Sequence, residues 1–191
     1  MIKLVVGLGN PGQQYVKTRH NAGFLFLDDL VGDAYSGWSI QSKFNGLFAE
    51  GILMGNRVMF LKPSTFMNRS GLSVSSVVRY YKLLPEEVLV VHDELDFKPG
   101  VARLKKGGGH AGHNGIRDII DHLGSKDFYR LRLGVGRPPE GNSVADFVLT
   151  APSKMEFQKI LDAFDFAKQC VGQLVSVDDA SIVMNRLNVS V

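Results

Sequence analysis

The chain has 191 residues, of which 45% are hydrophobic and 21% charged, a composition typical of one globular domain with a sizeable core. Its 22 basic and 19 acidic residues give a net charge of +3, which permits a polyanionic partner without requiring one. The single cysteine, Cys170, excludes an intramolecular disulfide and a cysteine-based zinc site. No apolar run approaches the roughly 18 residues of a membrane span, and no signal peptide is evident. We therefore expect one domain over residues 1–191, in the cytoplasm and without a membrane partner.

A glycine-rich turn and a polar segment follow the first predicted strand. Residues 2–6 form an apolar run typical of a buried strand, and residues 7–21 read GLGNPGQQYVKTRHN. The glycines match G-x-G-x-x-G, but this motif binds dinucleotides only where a helix opens directly after the glycines. Because Pro11 and a polar run intervene, we predict no nucleotide cofactor. A tight turn with glycines at positive φ would explain the glycines, but it would not explain His20 beside Asn21.

Strands and helices alternate along the rest of the chain. Apolar residues at helical spacing predict helices over residues 24–31, 74–81, 116–123 and 157–174, and a short helix opened by Ser143. Apolar runs predict strands at 88–91, 101–105 and 131–135, and a hairpin over 48–61 that turns at Gly55-Asn56. Residues 33–46 are predicted to be a loop, and the tail after Val175 is left open between irregular structure and a further helix. The alternation predicts a single α/β domain with a mixed, mostly parallel twisted sheet and helices on both faces.

Polar motifs fall where the predicted strands end. In chain order they are Asn10 and His20, Asn68, Asp93, and His113 with Asn114. In open α/β sheets, ligands bind outside the carboxyl ends of the strands. We therefore expect these motifs to converge on one crevice.

The residue types in this crevice point to general-base chemistry. No serine lies in a G-x-S-x-G turn and the cysteine is elsewhere, so no covalent nucleophile is evident. A histidine and an aspartate without a nucleophile indicate a base acting on water, with Asp93 holding His20 in the right tautomer. The amides of Asn10, Asn68 and Asn114 would orient water, a carbonyl or a developing oxyanion. This set suits an activated ester better than an amide.

Each of these residues also has a non-catalytic interpretation. His20 could fill a polar pocket and Asp93 could be a turn residue. Asn68 and Asn114 could cap the helices that follow them. The catalytic interpretation gains from the conjunction of the residues, not from any one of them.

Two histidines, His110 and His113, have a spacing that could bind a metal ion. No cysteine is near them and no third ligand is evident in the sequence. We therefore predict a protein without a metal site.

Basic residues cluster in the sequence around the proposed crevice. They are Arg103, Lys105, Lys106, Arg117, Arg130, Arg132 and Arg137. The segment Lys105-Lys-Gly-Gly-Gly before a predicted helix offers ammonium and backbone N–H groups to a phosphate. A solvated basic surface is the alternative. Because the net charge is only +3, the local concentration favours a nucleic-acid or polyphosphate substrate.

Five segments carry long, ordered motifs: residues 7–24, 62–71, 92–96, 107–115 and 131–138. Together they resemble the bacterial-type peptidyl-tRNA hydrolases. The resemblance implies a monomeric α/β enzyme, without metal or cofactor, that hydrolyses the ester joining a peptide to the 3′-end ribose of tRNA. Two alternatives stay open: another α/β hydrolase or phosphorylase acting on a phosphate-rich substrate, and a non-catalytic RNA-binding protein.

The resemblance also implies roles for individual residues. His20 resembles the catalytic base and Asp93 its orienting partner. Residues that resemble substrate-site positions are Asn10, Tyr15, Met67, Asn68, His113 and Asn114. Residues that resemble tRNA-contacting positions are Arg103, Lys105 and Arg132. Ala111 departs from the pattern, since glycine is more usual there, and Arg103 stands where lysine is common.

Overall fold

One sheet organises the structure, a computed structural model that describes residues 1–32, 37–177, 180 and 182–185. Its strands are β1 (Leu4–Gly7), β2 (Ser39–Gln41), β3 (Gly46–Leu53), β4 (Asn56–Pro63), β5 (Val88–Glu94), β6 (Ala102–Lys106) and β7 (Tyr129–Gly134). In these residues the seven strands follow the order β2-β3-β4-β1-β5-β7-β6. The four central strands are parallel, whereas β3 pairs antiparallel with β2 and β4, and β6 pairs antiparallel with β7. The predicted mixed α/β sheet is confirmed.

Helices cover both faces of the sheet, as predicted. They are α1 (Ala22–Val31), α2 (Ser70–Tyr81), α3 (Asn114–Leu123), α4 (Val144–Val148) and α5 (Lys154–Leu174). On one face α1 and α5 bury Phe26, Leu27, Ile160 and Phe164 against the sheet. On the other face α2 and α3 bury Val74, Val77, Ile116 and Ile119. This double burial explains why the central strands read as continuous apolar runs.

The glycines after β1 are required by close packing. A Cβ on Gly7 would overlap the carbonyl of Gly23, and a Cβ on Gly23 would overlap the carbonyl of Val91. The start of α1 therefore lies directly on β1 and β5. Among the three glycines of the motif only Gly12 has a positive φ, so backbone freedom explains one position and not the other two.

The outward part of α1 differs from the prediction. The helical spacing that predicts this helix places Phe24, Leu27, Leu30 and Val31 on one side, but the structure also buries Phe26 and leaves Phe24 and Leu30 partly exposed. The reason is local, since the ring of Phe24 lies against Gly9, where a Cβ would overlap it.

Two predicted loop assignments also need correction. The hairpin turns at Met54-Gly55, both at positive φ, and not at Gly55-Asn56, because Leu53 pairs with Asn56. Residues 33–46 are not all loop, since Ser39–Gln41 pairs with β3 as an edge strand. Residues 33–36 lie outside the described residues.

The tail that follows α5 is described only in part. In the tail, residues 182–185 are helical, and most of the remaining positions lie outside the described residues. Cys170 is buried in the core, as predicted, and burial raises the pKa of its thiol to about 12. None of the described helices is both long and apolar enough to cross a membrane.

Candidate active site

A cavity of about 570 Å³ opens at the carboxyl edge of β5 and β7. Residues of β5 and β7 form its floor, the glycine-rich loop (residues 107–113) forms one wall, and α4 forms another. His20 reaches it from a short 3-10 turn, Arg19–Asn21, that directly precedes α1. The predicted crevice at the strand ends therefore exists. His20, Asp93, His113 and Asn114 line it, whereas Asn10 and Asn68, which were expected there too, do not.

His20 and Asp93 are in direct contact. Nδ1 of His20 donates to Oδ1 of Asp93 over 2.9 Å. Asp93 ends β5 and is buried, whereas the His20 side chain keeps 12% of its surface exposed. Because the carboxylate accepts the Nδ1 proton, Nε2 carries the lone pair in the neutral imidazole. This tautomer can take a proton from a group in the cavity.

A second histidine shares the same carboxylate oxygen. Nε2 of His113 donates to Oδ1 of Asp93 over 3.0 Å. Nδ1 of His113 accepts from the backbone N–H of Ile116 over 3.3 Å, which makes His113 the N-cap of α3. The cap that was considered for Asn114 is thus provided by His113. Because Nδ1 must accept, the proton of neutral His113 lies on Nε2 and points at Asp93.

Burial and charge act in opposite directions on these groups. Burial alone would raise the pKa of Asp93, but the charges and hydrogen bonds of His20 and His113 hold it far below its usual range. Burial alone would lower the pKa of His20, but the charge and hydrogen bond of Asp93 outweigh it and raise that pKa. Burial, assisted by His113 and Arg130, keeps the pKa of His92 well below its ordinary value. The site therefore contains an ionised Asp93 beside a histidine of increased basicity.

The same three side chains are the only cluster of at least three metal-ligating types in the described residues. His20 Nδ1, Asp93 Oδ1 and His113 Nε2 lie within 4.8 Å of one another. A histidine that binds a metal through one nitrogen normally carries a proton on the other and donates it. Nδ1 of His113 instead accepts from Ile116, so its Nε2 keeps the proton. The donor set fits a hydrogen-bonded cluster better than a metal centre.

The glycine-rich loop brings His113 to the site by an unexpected route. Because β6 is antiparallel to β7, it ends at the amino edge of the parallel strands, and not at the carboxyl edge as the prediction assumed. The loop then returns along the sheet. Arg130 directs this path, since its guanidinium donates to the carbonyl oxygens of Gly107, Gly108 and Gly109.

Basic residues of β6 and β7 form part of the floor of the cavity. Lys105, Arg130 and Arg132 line it together with the exposed Arg137. Arg103 is the cross-strand neighbour of Arg132 on the same face of the sheet. The Nε atoms of Arg130 and Arg132 are buried and have no hydrogen-bond partner. The positive charges of these side chains make this face suitable for an anion.

Lys106 does not belong to this floor, contrary to the sequence prediction. Adjacent residues of a strand project to opposite faces, so Lys106 points away from Lys105. Its ammonium lies 5.4 Å from the centre of the Tyr129 ring, beside a separate depression that includes Ile2 and Glu86.

Comparison with known proteins agrees with this geometry. The family model described as peptidyl-tRNA hydrolase matches residues 4–191. The chain belongs to the peptidyl-tRNA hydrolase family. It is 50% identical over 188 residues to the peptidyl-tRNA hydrolase of Pasteurella multocida, covering 98% of this chain and 96% of that one. It is 51% identical over 189 residues to that of Methylococcus capsulatus, covering 99% and 100%.

A solved structure supports the same family. The crystal structure of peptidyl-tRNA hydrolase from Acinetobacter baumannii superposes with a TM-score of 0.92 and 44% identity. The match covers 98% of this chain and 95% of that chain. The similarity therefore extends over the whole sheet and its helices, and the predicted resemblance to the peptidyl-tRNA hydrolases is confirmed.

Two of the residues that the family resemblance singled out lie beneath the surface. Asn10 is buried, and its Oδ1 accepts from the backbone N–H of Met67 over 2.7 Å. The backbone of Asn10 is in turn held by two hydrogen bonds to the side chain of Asn21. Met67 is buried in the core, and its sulfur packs against Gly115 at the start of α3. Both residues thereby fix the segment that leads to Asn68.

The other residues of that set lie nearer to solvent. Asn68 is exposed and lines a second depression together with Asn114 and Arg117. Asn114 lines both this depression and the main cavity, so the two are neighbours. Asn68 does not cap α2, since the N-cap residue is Arg69. Tyr15 lies further out, with its ring edge-on to Phe66 at 6.4 Å.

Three further features were not predicted from the sequence. His92 is buried, donates through Nδ1 to the carbonyl oxygen of Asp93, and packs its ring against His113. It shares the face of Arg132, its cross-strand partner, which alternation along β5 could have shown. Arg130 was noted only for its charge, not for its hold on the loop. The apolar wall that α4 contributes gave no signal, because its position depends on Arg19.

Arg19 anchors α4 beside His20. Its guanidinium donates to Thr150, to the carbonyl of Ala151 and to Glu156, and stacks 4.1 Å from the centre of the Phe147 ring. The residue next to His20 thus holds the chain on both sides of the turn between α4 and α5. The wall of the cavity and the candidate base are therefore fixed to each other.

Proposed function

We propose that this chain hydrolyses the ester bond between peptide and tRNA in peptidyl-tRNA, releasing free tRNA and peptide, with His20 as the general base. The observation that carries the proposal is the His20–Asp93 contact at the edge of a cavity whose floor is basic. The family membership supports the substrate class, and the contact supports the chemistry.

The reaction needs one base and one water molecule. Nε2 of His20 takes a proton from the water as its oxygen attacks the ester carbonyl carbon. Asp93 stabilises the imidazolium that forms, because it is ionised and hydrogen-bonded to Nδ1. When the tetrahedral intermediate collapses, the C–O bond to the ribose breaks and His20 returns the proton to the leaving ribose oxygen. The products are a free hydroxyl on the tRNA and a peptide carboxylic acid, which releases its proton to solvent and becomes a carboxylate.

Amide side chains at the main cavity and the neighbouring depression would hold the reacting groups. Asn68 and Asn114 are exposed there and can donate to a carbonyl oxygen or to a developing oxyanion. Asn10 and Met67 support the backbone leading to Asn68 and would act on the substrate mainly through it. Tyr15 extends the substrate surface beside the exposed ring of Phe66.

The basic floor would bind phosphates of the tRNA. Lys105 and Arg132 line the cavity, and Arg103 lies beside Arg132 on the edge strand. Nη1 of Arg132 lies 3.7 Å from Oε2 of Glu94. At this distance the carboxylate neutralises the charge of Arg132 only in part. Phosphate contacts of this kind give affinity without sequence specificity.

The proposed mechanism requires no metal and no other cofactor. We also expect a monomer, since each proposed role is filled by residues of a single chain. The expectation from the sequence that the protein acts in the cytoplasm is unchanged. Sedimentation of the purified protein at assay concentration would test the oligomeric state, and a dimer would contradict it.

Release of labelled amino acid from N-acetyl-aminoacyl-tRNA tests the proposal, with unblocked aminoacyl-tRNA as the control substrate. We expect rapid release from the blocked substrate and little from the unblocked one. Tight tRNA binding without release would instead indicate a non-catalytic RNA-binding protein. Equal release from both substrates would indicate an unspecific esterase.

A further inference from the structure

We propose that His113 is a positioning residue for His20, acting through the shared oxygen of Asp93 and not on the substrate. This inference rests on the proposed role of His20 as general base. It assigns His113 a different role from the substrate contact that the sequence resemblance implied.

Both ring nitrogens of His113 are already occupied. Nε2 donates to Asp93 and Nδ1 accepts from Ile116. The His113 side chain keeps only 10% of its surface exposed. A neutral imidazole has one donor and one acceptor, so His113 has no ring nitrogen left for a substrate.

The ring of His113 is also held in place by its neighbours. The ring of His92 packs edge-on against it with centroids 4.7 Å apart, and the backbone N–H of His113 donates to the carbonyl of His110 over 2.9 Å. The ring of His20 also lies near it, with a centroid separation of 5.2 Å. His113 is therefore a rigid donor aimed at Asp93, as a residue that positions a carboxylate must be.

Sharing one oxygen between two N–H donors changes the strength of the His20–Asp93 interaction. The negative charge on Oδ1 is divided between His20 and His113, so each hydrogen bond is weaker than an unshared one. His113 thereby limits how strongly Asp93 stabilises a protonated His20. The pKa of His20 therefore rises less than an unshared carboxylate would raise it, and a larger fraction of His20 stays neutral and able to act as a base.

Other charged and titratable groups surround this cluster. They are His92 and Glu94 on β5, Arg130 and Arg132 on β7, Lys105 on β6, His110 on the glycine-rich loop, and Asp96 and Arg137 after β5 and β7. Among these, only His92 packs its ring on His113, and burial keeps it neutral. The arginines stay charged across the range in which histidine titrates, so their field is constant there.

The variant His113→Asn separates the two hydrogen bonds of His113. Asparagine is a favourable N-cap residue, so it can still accept from the N–H of Ile116. Its side chain is too short to reach Asp93 from the same backbone position. Asp93 then accepts from His20 alone, and we expect the acid limb of the kcat/KM profile to move up by about one pH unit. KM at the alkaline plateau should stay within about twofold of the wild-type value.

A titration of His20 by NMR in the free protein gives the same readout without substrate. We expect the His20 pKa to rise in His113→Asn by the same amount as the acid limb. His122→Asn is the matched control, because His122 is on α3, pairs with Asp118 at 3.4 Å, and lies outside the cavity. It should move neither the limb nor the His20 titration.

The possible outcomes separate the roles. A raised KM with an unmoved limb would show that His113 contacts the substrate, and an unmoved limb with a uniformly lower kcat would show a purely structural role. Either result overturns the inference. Failure of the wild-type protein to hydrolyse N-acetyl-aminoacyl-tRNA would overturn the proposed function instead, while the NMR titration would still decide the His113–Asp93–His20 coupling.

Discussion

Replacing Asp93 by asparagine removes the charge of the site while keeping its shape. Oδ1 of Asp93 accepts from His20 and from His113. In the variant the amide can place either its oxygen or its nitrogen at this position. Because the Ile116 N–H fixes the tautomer of His113, a proton must still be accepted there, so the amide oxygen is favoured. His20 then keeps a hydrogen bond through Nδ1 but loses the neighbouring negative charge.

The size of the effect follows from the contact distance. Two unit charges about 4 Å apart interact by roughly 4 kcal/mol at an effective dielectric constant near 20. Most of this stabilises an imidazolium, the form that His20 adopts as it takes the proton of water. Its loss corresponds to a fall in kcat of about 10²–10³, within the range of general-base catalysis. Because burial would then act on His20 without Asp93 opposing it, the pKa of His20 should also fall.

The pH dependence of kcat/KM on N-acetyl-aminoacyl-tRNA tests both effects in one experiment. We expect Asp93→Asn to lower the plateau and to move the acid limb to lower pH. Asp165→Asn is the control for a general change in charge, since Asp165 is exposed on α5. A plateau loss below about tenfold, or a limb that moves to higher pH, would refute the role assigned to Asp93.

Further expectations concern the floor, the amides and the metal. Lys105→Ala should weaken tRNA binding and flatten its log–log salt dependence by about 0.7–0.9, whereas Lys106→Ala, on the opposite face, should leave both unchanged. Asn10→Ala leaves the buried N–H of Met67 without a partner, which should cost about 1–3 kcal/mol and lower Tm by several degrees in a thermal melt. Asn114→Ala should raise KM or lower kcat without lowering Tm, because Asn114 is exposed. Exhaustive chelation should leave kcat/KM unchanged, and a loss restored by zinc would revive the metal hypothesis.

The sequence predicted the fold well where burial sets the pattern. Strands buried on both faces read as apolar runs, and helices with one buried face read as stripes, so the α/β alternation was visible. The direction of β6 could not be predicted, because the seven-residue loop between β5 and β6 could lead into a strand either parallel or antiparallel to β7. The predicted position of the hairpin turn was wrong by one residue, since Met54 adopts a positive φ that residues other than glycine rarely adopt.

Part of the site could be predicted because the parallel strands themselves were predicted. His20 and Asp93 each end or follow a parallel strand, so the strand-end rule brings them together. The contacts of His113, Arg130 and Arg19 could not be predicted, because they join residues that are far apart in the chain. Met67 and Asn10 carry polar or flexible side chains whose burial could not be judged from their spacing.

The most direct test of the account is single-turnover hydrolysis of N-acetyl-aminoacyl-tRNA by His20→Ala, with the affinity for tRNA measured on the same preparation. Lys105 and Arg132, and not His20, are proposed to hold the tRNA. We therefore expect the rate to fall by at least about 10²-fold while the Kd for tRNA changes by less than about threefold. A rate close to that of the wild-type protein would contradict the assignment of His20 as the general base.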